Sequence, residues 1–144
     1  PESFFSAQAR LLPLRGRLVL IDDCLGDAAL HRELSARHAR LLEVYRRNWL
    51  LPGLRGVTAI QSIAEAKGFR LIQDRNLTPH LRLGRPRDRA IALLVRLAGC
   101  RMERNTYLKA LVGGDAKQKC YRNGLIDYRL LVFEKQARGE DRDG

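Results

Sequence analysis

The chain has 144 residues, of which 45% are hydrophobic and 30% charged, and its formal net charge is +11. Length and composition are those of a single globular domain with a real hydrophobic core, which argues against disorder over most of the chain. No stretch approaches the roughly 18 uninterrupted apolar residues that a membrane-spanning helix needs, so we predict no membrane as a partner.

The cysteines and histidines form no recognisable metal or disulfide pattern. Cys24, Cys100 and Cys120 are odd in number and match no zinc-ligand spacing, and the three histidines form no metal-like pair. We therefore expect free thiols and no metal site, as in a reducing compartment. Pro13 splits the leucines of the N-terminal segment, which does not read as a signal peptide, and a cytoplasmic location is predicted.

The positive charge has two interpretations. Of the 27 basic residues, 22 are arginines, and they are spread along the chain as single residues between apolar ones. No Lys/Arg block and no basic face with interleaved aromatic residues is present, so surface arginine that pairs with carboxylates is favoured. A nucleic-acid-binding surface is the alternative that a strongly basic chain raises.

The first two predicted elements lead to a possible ligand site. Residues 4–12 predict a short amphipathic helix with Ser3 as its N-cap. Residues 18–21 are four consecutive apolar residues, which predict a strand that is buried on both faces. Asp22 and Asp23 follow directly, at the strand end where open α/β sheets bind their ligands. We therefore predict a ligand site beside these two aspartates.

The middle of the chain predicts helices followed by a strand. Apolar positions at i, i+4 and i+7 predict one long helix over residues 28–49. A second helix is predicted over 58–67 and is ended by Gly68, and residues 69–74 are a strand candidate. A helix, a glycine and a strand in this order form an αβ unit, which favours the α/β class.

The last part of the chain predicts further helices and a final strand. A helix is expected over residues 87–98, and further helical turns over 105–121, interrupted at glycines 113–114 with Asp115 as a new cap. Residues 125–133 are rich in strand formers. The pattern contains three strands and about five helices. Three strands make a small sheet for a first strand that is buried on both faces and needs a neighbour on each side. The pattern is therefore that of part of a larger α/β domain.

Three segments resemble one protein family. GRLVLIDDCL (16–25) resembles the fifth-strand segment of class I S-adenosylmethionine-dependent methyltransferases, although the usual Pro-Gly-Gly turn before it is altered. AEAKGFRLIQDRNLTPHLRL (64–83) resembles the family's next helix and sixth strand. CYRNGLIDYRLLVFEK (120–135) resembles its closing helix and antiparallel seventh strand. The resemblance covers residues 1–135 in the family's order.

The resemblance implies a partial Rossmann-like methyltransferase sheet of three strands with helices on both faces. The last strand is expected between the other two and antiparallel to both. Two inserts, about 26–56 and 79–123, are implied to form a helical lid over the acceptor. Residues 136–144 are predicted to be a charged, flexible tail.

The family binds S-adenosylmethionine mainly through an N-terminal half that carries a glycine-rich loop after its first strand. This sequence contains no Gly-x-Gly-x-x-Gly-like loop. The resemblance therefore implies the acceptor-binding C-terminal half of an enzyme that methylates a small molecule. The cofactor-binding residues are expected in an N-terminal half, in the same or a partner chain, without which this chain is expected to be inactive.

Six residues are candidates for the acceptor site. Asp23 and His80 are the candidate catalytic bases. The predicted substrate-binding residues are Asp22, Tyr45, Trp49 and Thr78. Several of them have a structural alternative: a turn cap or arginine pair for Asp22, packing for the aromatic rings, and solvation for the loop histidine. Methyl transfer needs alignment and exclusion of water more than strong acid–base groups, so a modest set of residues suffices.

Two other functions stay open at this stage. The chain is also compatible with a non-catalytic basic α/β module that binds nucleic acid or an acidic partner. A remnant that does not fold stably alone is the third possibility, because the first strand would then expose a sheet edge.

Overall fold

The computed structural model describes residues 2–31, 33–51, 53–98 and 106–137, with the backbone alone at 98, 106 and 107. The elements in chain order are α1 (Glu2–Leu11), β1 (Arg17–Leu25), α2 (Asp27–Leu30), α3 (Ala36–Asn48), α4 (Val57–Glu65), β2 (Phe69–Asn76), a 3₁₀ turn (Thr78–His80), α5 (Pro86–Ala98), α6 (Thr106–Arg122) and β3 (Ile126–Lys135). Cys100 and the predicted tail beyond residue 137 lie outside the described residues.

The chain divides into two compact units, with boundaries after Cys24, Leu54, Leu77 and Asp127. The sheet unit contains α1, α4, β2 and nearly all of β1 and β3. The helical unit contains α2, α3, the 3₁₀ turn, α5 and α6. In the described part of the chain, no helix combines the length and the apolar character that crossing a membrane requires.

The sheet has the strand order β1-β3-β2, with the last strand in the middle. β2 and β3 are antiparallel, with Leu71 opposite Phe133. At the other edge, the Arg15 N–H donates to the Lys135 carbonyl and the Lys135 N–H donates to the Gly16 carbonyl, which joins the start of β1 to the end of β3. The predicted three-stranded α/β sheet with an antiparallel last strand is confirmed.

The core of the sheet unit is built by α1 and α4 on one face of the sheet. Phe5 of α1 packs edge-on against Phe133 of β3, with ring centroids 5.4 Å apart, and lies 5.9 Å from the Phe69 ring. The buried residues of this cluster are Phe5, Cys24, Ile60, Ala64, Phe69, Leu131 and Phe133. Burial of these apolar side chains is the main favourable term for folding of the unit.

Strand β1 differs from the prediction in length and burial. It continues to Leu25, so the two aspartates lie inside the strand and not beyond its end. Val19 and Ile21 are 56% and 48% exposed, so the strand is not buried on both faces. The reason is geometric: alternate residues such as Leu18 and Leu20 pack on the core, and the apolar residues between them point to the opposite face.

Two predicted helix starts are wrong. α1 begins at Glu2, so Ser3 lies within the helix and does not cap it. The long helix predicted over 28–49 is two helices, α2 and α3. The Ser35 hydroxyl accepts a hydrogen bond from the His38 N–H at 3.3 Å, which starts a new helix where the periodic pattern predicted continuity. Gly68 follows α4 with a φ of +80°, as predicted for a glycine after a helix.

Helix α6 runs through Gly113 and Gly114 without the predicted interruption, and Asp115 lies inside the helix and is no cap. Gly113 is required by packing. A Cβ atom there would lie 2.6 Å from Cδ1 of Trp49 and 2.9 Å from Cβ of Asn48, both contributed by the end of α3. The glycine therefore allows α3 and α6 to approach closely, and a helix-breaking role is not needed to explain it.

The glycine pair of α6 offers a matched test of this packing. We expect Gly113→Ala to lower the free energy of unfolding by about 1–3 kcal/mol, because the added methyl group overlaps Trp49 and Asn48. Gly114→Ala meets no heavy atom within 4 Å and is expected to raise it by up to about 1 kcal/mol through helix propensity. Urea unfolding of both variants measures the difference, and equal effects would contradict the close approach of α3 and α6.

Candidate acceptor-binding site

The two aspartates of β1 lie next to a buried thiol, that of Cys24. Asp22 is exposed and Asp23 half-buried, and the Asp22 carboxylate accepts a hydrogen bond from the Asp23 N–H at 2.8 Å. Cys24 is 1% exposed. Desolvation raises the pKa of the Cys24 thiol to about 12, with a further contribution from the negative charge of Asp22 that Arg129 partly offsets. The thiol is therefore neutral and unreactive at physiological pH.

An ion pair that sequence reasoning missed lies on the same sheet. The Asp74 carboxylate accepts hydrogen bonds from Nε and a terminal nitrogen of Arg129, at 3.0 and 2.5 Å. Asp74 lies opposite Leu131 in the register, and Arg129 lies opposite Asn76, so the pair is a cross-strand diagonal. Bidentate pairs of this kind are among the stronger ones. Its sequence signal is visible only once the register of β2 on β3 is known.

Tyr45 and Trp49 lie one turn apart on α3 and its C-cap, and their rings are in contact, with centroids 6.5 Å apart. Their exposure differs sharply. Tyr45 is 1% exposed and packs in the interior of the helical unit, whereas Trp49 is 48% exposed. Of the two predicted aromatic residues, Trp49 is therefore the one that presents ring surface to solvent.

A lysine completes this aromatic cluster. The Lys117 ammonium of α6 lies 6.0, 5.2 and 5.7 Å from the ring centroids of Tyr45, Trp49 and Tyr121. These distances are within the range of cation–π attraction. Lys117 and Tyr121 are four residues apart on one helix, but their proximity to the α3 rings depends on tertiary packing and was not predicted.

The helical unit also contains an open cavity of about 510 Å³. Residues of α3, α5 and α6 and one residue after α6 line it: Arg37, His38, Arg40, Leu41, Val44, Val95, Val112, Asp115, Ala116, Lys119 and Asn123. Asp115 is 9% exposed and forms an ion pair with Lys119 one turn further along α6. This volume is in the range of small-molecule sites.

The remaining candidates lie on the 3₁₀ turn that follows β2. Thr78 is half-buried and His80 is exposed. Asp22 and Asp23 belong to the sheet unit, while Tyr45, Trp49 and these two residues belong to the helical unit. Within the parts of the chain that are described, no group of three or more His, Cys, Asp or Glu side chains is suited to hold a metal ion.

The buried thiol predicts a pH dependence of stability. Because the pKa of Cys24 is raised from 9.0 to about 12, the folded chain keeps a proton that the unfolded chain loses above pH 9. The free energy of unfolding should therefore fall between about pH 9 and 12, by up to about 1.4 kcal/mol per pH unit from this group. Urea unfolding of wild type and Cys24→Ala from pH 8 upward measures it. All other groups are common to both proteins, so a difference that does not change with pH would refute this account.

No protein-family model matches the chain, and no curated protein matches it. Solved structures do match. Mycolic acid cyclopropane synthase CmaA1, complexed with SAH and CTAB, is similar with a TM-score of 0.65 and 23% identity over 93% of this chain and 49% of its own. The cyclopropane synthase MmaA2 from Mycobacterium tuberculosis is similar with a TM-score of 0.63 and 19% identity over 93% of this chain and 49% of its own. A putative sarcosine dimethylglycine methyltransferase from Galdieria sulphuraria is similar with a TM-score of 0.60 and 15% identity over 94% of this chain and 47% of its own.

This chain therefore spans about half the length of these proteins. At these identities the likeness is one of fold, and it confirms the partial methyltransferase fold that the three sequence segments predicted.

Proposed function

We propose that this chain is the acceptor-binding part of an S-adenosylmethionine-dependent methyltransferase that acts on a small molecule. The observation that carries the proposal is the match of 93% of the chain, at a TM-score of 0.65, to a cyclopropane synthase complexed with SAH. A Haemonchus contortus phosphoethanolamine N-methyltransferase 2 in complex with S-adenosyl-L-methionine is also similar, with a TM-score of 0.55 and 22% identity over 94% of this chain and 30% of its own. These complexes support a cofactor of the same class here.

The described residues do not themselves offer the usual cradle for that cofactor. Such a cradle needs a glycine-rich loop between a strand and a helix, so that backbone N–H groups approach the ligand. Gly113 and Gly114 lie inside α6, and Gly26 is a single glycine between β1 and the short helix α2. We therefore assign the cofactor to an N-terminal half, in the same or a partner chain.

Two properties of β1 support such a further half. Among the described residues, β1 lies at the edge of the sheet order, with β3 as its neighbour. Val19 and Ile21 are about half exposed on it. An exposed apolar edge strand is a liability that proteins normally cover, so a further segment that packs there fits this surface.

We assign the acceptor to the helical unit, which contains most of the two inserts over 26–56 and 79–123 that the sequence predicted as a lid. Its cavity of about 510 Å³ has the volume of a small-molecule site, although none of the six candidate residues lines it. Trp49, half exposed, is proposed to pack against the apolar part of that acceptor. Thr78 is proposed to hydrogen-bond its polar group.

The acid–base roles go to Asp23 and His80. Asp23 is half-buried and next to Asp22, and we propose that it takes the proton that the acceptor atom loses, while Asp22 orients the acceptor. His80, which is exposed, is the second candidate base. The bound cofactor supplies the methyl group, and the contribution of this chain is to align the acceptor and exclude water.

The proposal is tested on the longest open reading frame that contains this chain. We expect that protein to bind S-adenosylhomocysteine saturably in a calorimetric titration. When it is supplied with S-adenosylmethionine and a small amine, carboxylate or alkene acceptor, it should methylate the acceptor and release S-adenosylhomocysteine. Asp23→Asn should lower kcat at least about tenfold with cofactor affinity unchanged within about twofold. Asp27→Asn, an exposed aspartate on α2, is the matched control. Absence of cofactor binding by the folded protein would refute the proposal.

Trp49 gives an independent test of the acceptor side. We expect Trp49→Ala to raise KM for the acceptor about tenfold or more, because the exposed ring no longer contacts it, while cofactor affinity stays unchanged. Leu50→Ala, at a neighbouring residue that is 87% exposed, is the control. Trp49→Phe keeps an aromatic ring and should fall between the two. A KM equal to that of the control would place the acceptor elsewhere.

A further inference from the structure

The solvent face of α5 is apolar. Leu93, Leu94 and Leu97 are 56%, 54% and 76% exposed. Ile91 and Val95, on the opposite side of the same helix, are half-buried and line cavities together with residues of α6. Helix α5 therefore packs on the helical unit through one apolar face and presents a second one to solvent, which an ordinary surface helix does not do.

Arginines flank this apolar face on both sides. At about 100° per residue, Arg89 and Arg96 lie along one edge of the leucine face, and Arg87 lies near Leu94 along the other. All three arginines are exposed. Asp88, the acidic residue of the helix, has a side chain that is only 10% exposed. Its carboxylate lies 4.0 Å from Nε of Arg87 and accepts a hydrogen bond from the Arg85 N–H. The exposed face thus combines an apolar centre with positive edges.

We propose that this face of α5 binds the surface of an anionic lipid membrane, with the helix lying in the plane of the interface. In that orientation the three leucines enter the boundary between headgroups and acyl chains, and the arginines contact the anionic headgroups. The net charge of +11 adds long-range attraction to the same surface. This is surface binding without a spanning helix. It is opposite to the sequence prediction that a membrane is no partner, which rested on the lack of a spanning segment.

The charge pattern favours lipid over the other occupants. A second copy of α5 would bury the leucines, but it would bring two positive edges together, and like charges disfavour that pairing. A nucleic acid would match the arginines, but its phosphates make no use of three exposed leucines. An anionic lipid surface offers an acyl-chain region to the leucines and negative headgroups to the arginines, so it matches both parts of the face. The inference does not rest on the proposed methyl transfer, because it involves neither cofactor nor acceptor.

The test is sedimentation of the 144-residue chain with vesicles of phosphatidylcholine, with and without phosphatidylglycerol. We expect binding to the vesicles that contain phosphatidylglycerol and little binding to the others. Leu93→Ser/Leu97→Ser should weaken that binding about tenfold or more without a change in charge. Leu11→Ser is the matched control, because Leu11 is 76% exposed like Leu97 but belongs to α1. Its binding should stay within about twofold of wild type.

Three results would overturn the proposal. The first is a double variant that binds anionic vesicles as well as the Leu11→Ser control, since charge alone would then explain binding. The second is equal binding to both vesicle compositions, which would show that the arginines do not contribute to binding. The third is a wild-type dimer without vesicle binding that the double variant converts to monomer, because a second copy would then cover α5. If the double variant unfolds at a lower temperature, Leu97→Ser alone repeats the comparison.

Discussion

The packing of β3 between the other two strands is the constraint on which the sheet unit depends. Phe133 of this strand lies against Phe5 of α1, and the Lys135 ammonium donates to the Ala9 and Leu12 carbonyls near the end of that helix, at 2.6 and 2.7 Å. The last strand therefore holds the first helix by an apolar contact and by two hydrogen bonds to helix-end carbonyls. The contacts between this helix and this strand are long-range in sequence, with Ala9 and Lys135 separated by 126 positions.

This dependence explains what the sequence could predict of the fold. Helices and strands were predictable wherever one segment carries its own pattern, as in α5. Strand order and direction came from the resemblance of three segments to one family, since contacts such as Phe5–Phe133, between segments far apart in the chain, leave no local signal in the sequence. The burial of β1 was mispredicted because four consecutive apolar residues say nothing about which sheet edge they occupy. Val19 and Ile21 are half exposed for that reason.

In the helical unit, too, the contacts between separate segments could not be predicted from the sequence. A glycine pair in a helical pattern predicts a break by propensity, yet α6 continues because the missing side chain at Gly113 makes room for Trp49. The Tyr45–Trp49 contact was predictable, since both residues belong to one helical segment. The position of Lys117 on those rings was not, because α6 brings it there from a distant part of the chain. A cluster of side chains from two separate segments can be predicted only when the packing of those segments is known.

The arginine-rich composition, finally, serves different purposes in the two units. In the sheet unit, Arg129 forms a bidentate pair with Asp74, and Arg17 and Arg70 lie within 4 Å of Glu134. Because Arg17 and Arg70 are largely exposed, their pairs with Glu134 contribute little to stability and mainly balance charge. On α5 the arginines border leucines, and there the charge belongs to a surface that is apolar at its centre. The number of basic residues does not distinguish arginines that pair with carboxylates from arginines that border an apolar surface. The separation comes from which carboxylates and which apolar side chains the fold sets beside each guanidinium, and the net charge alone carries no such information.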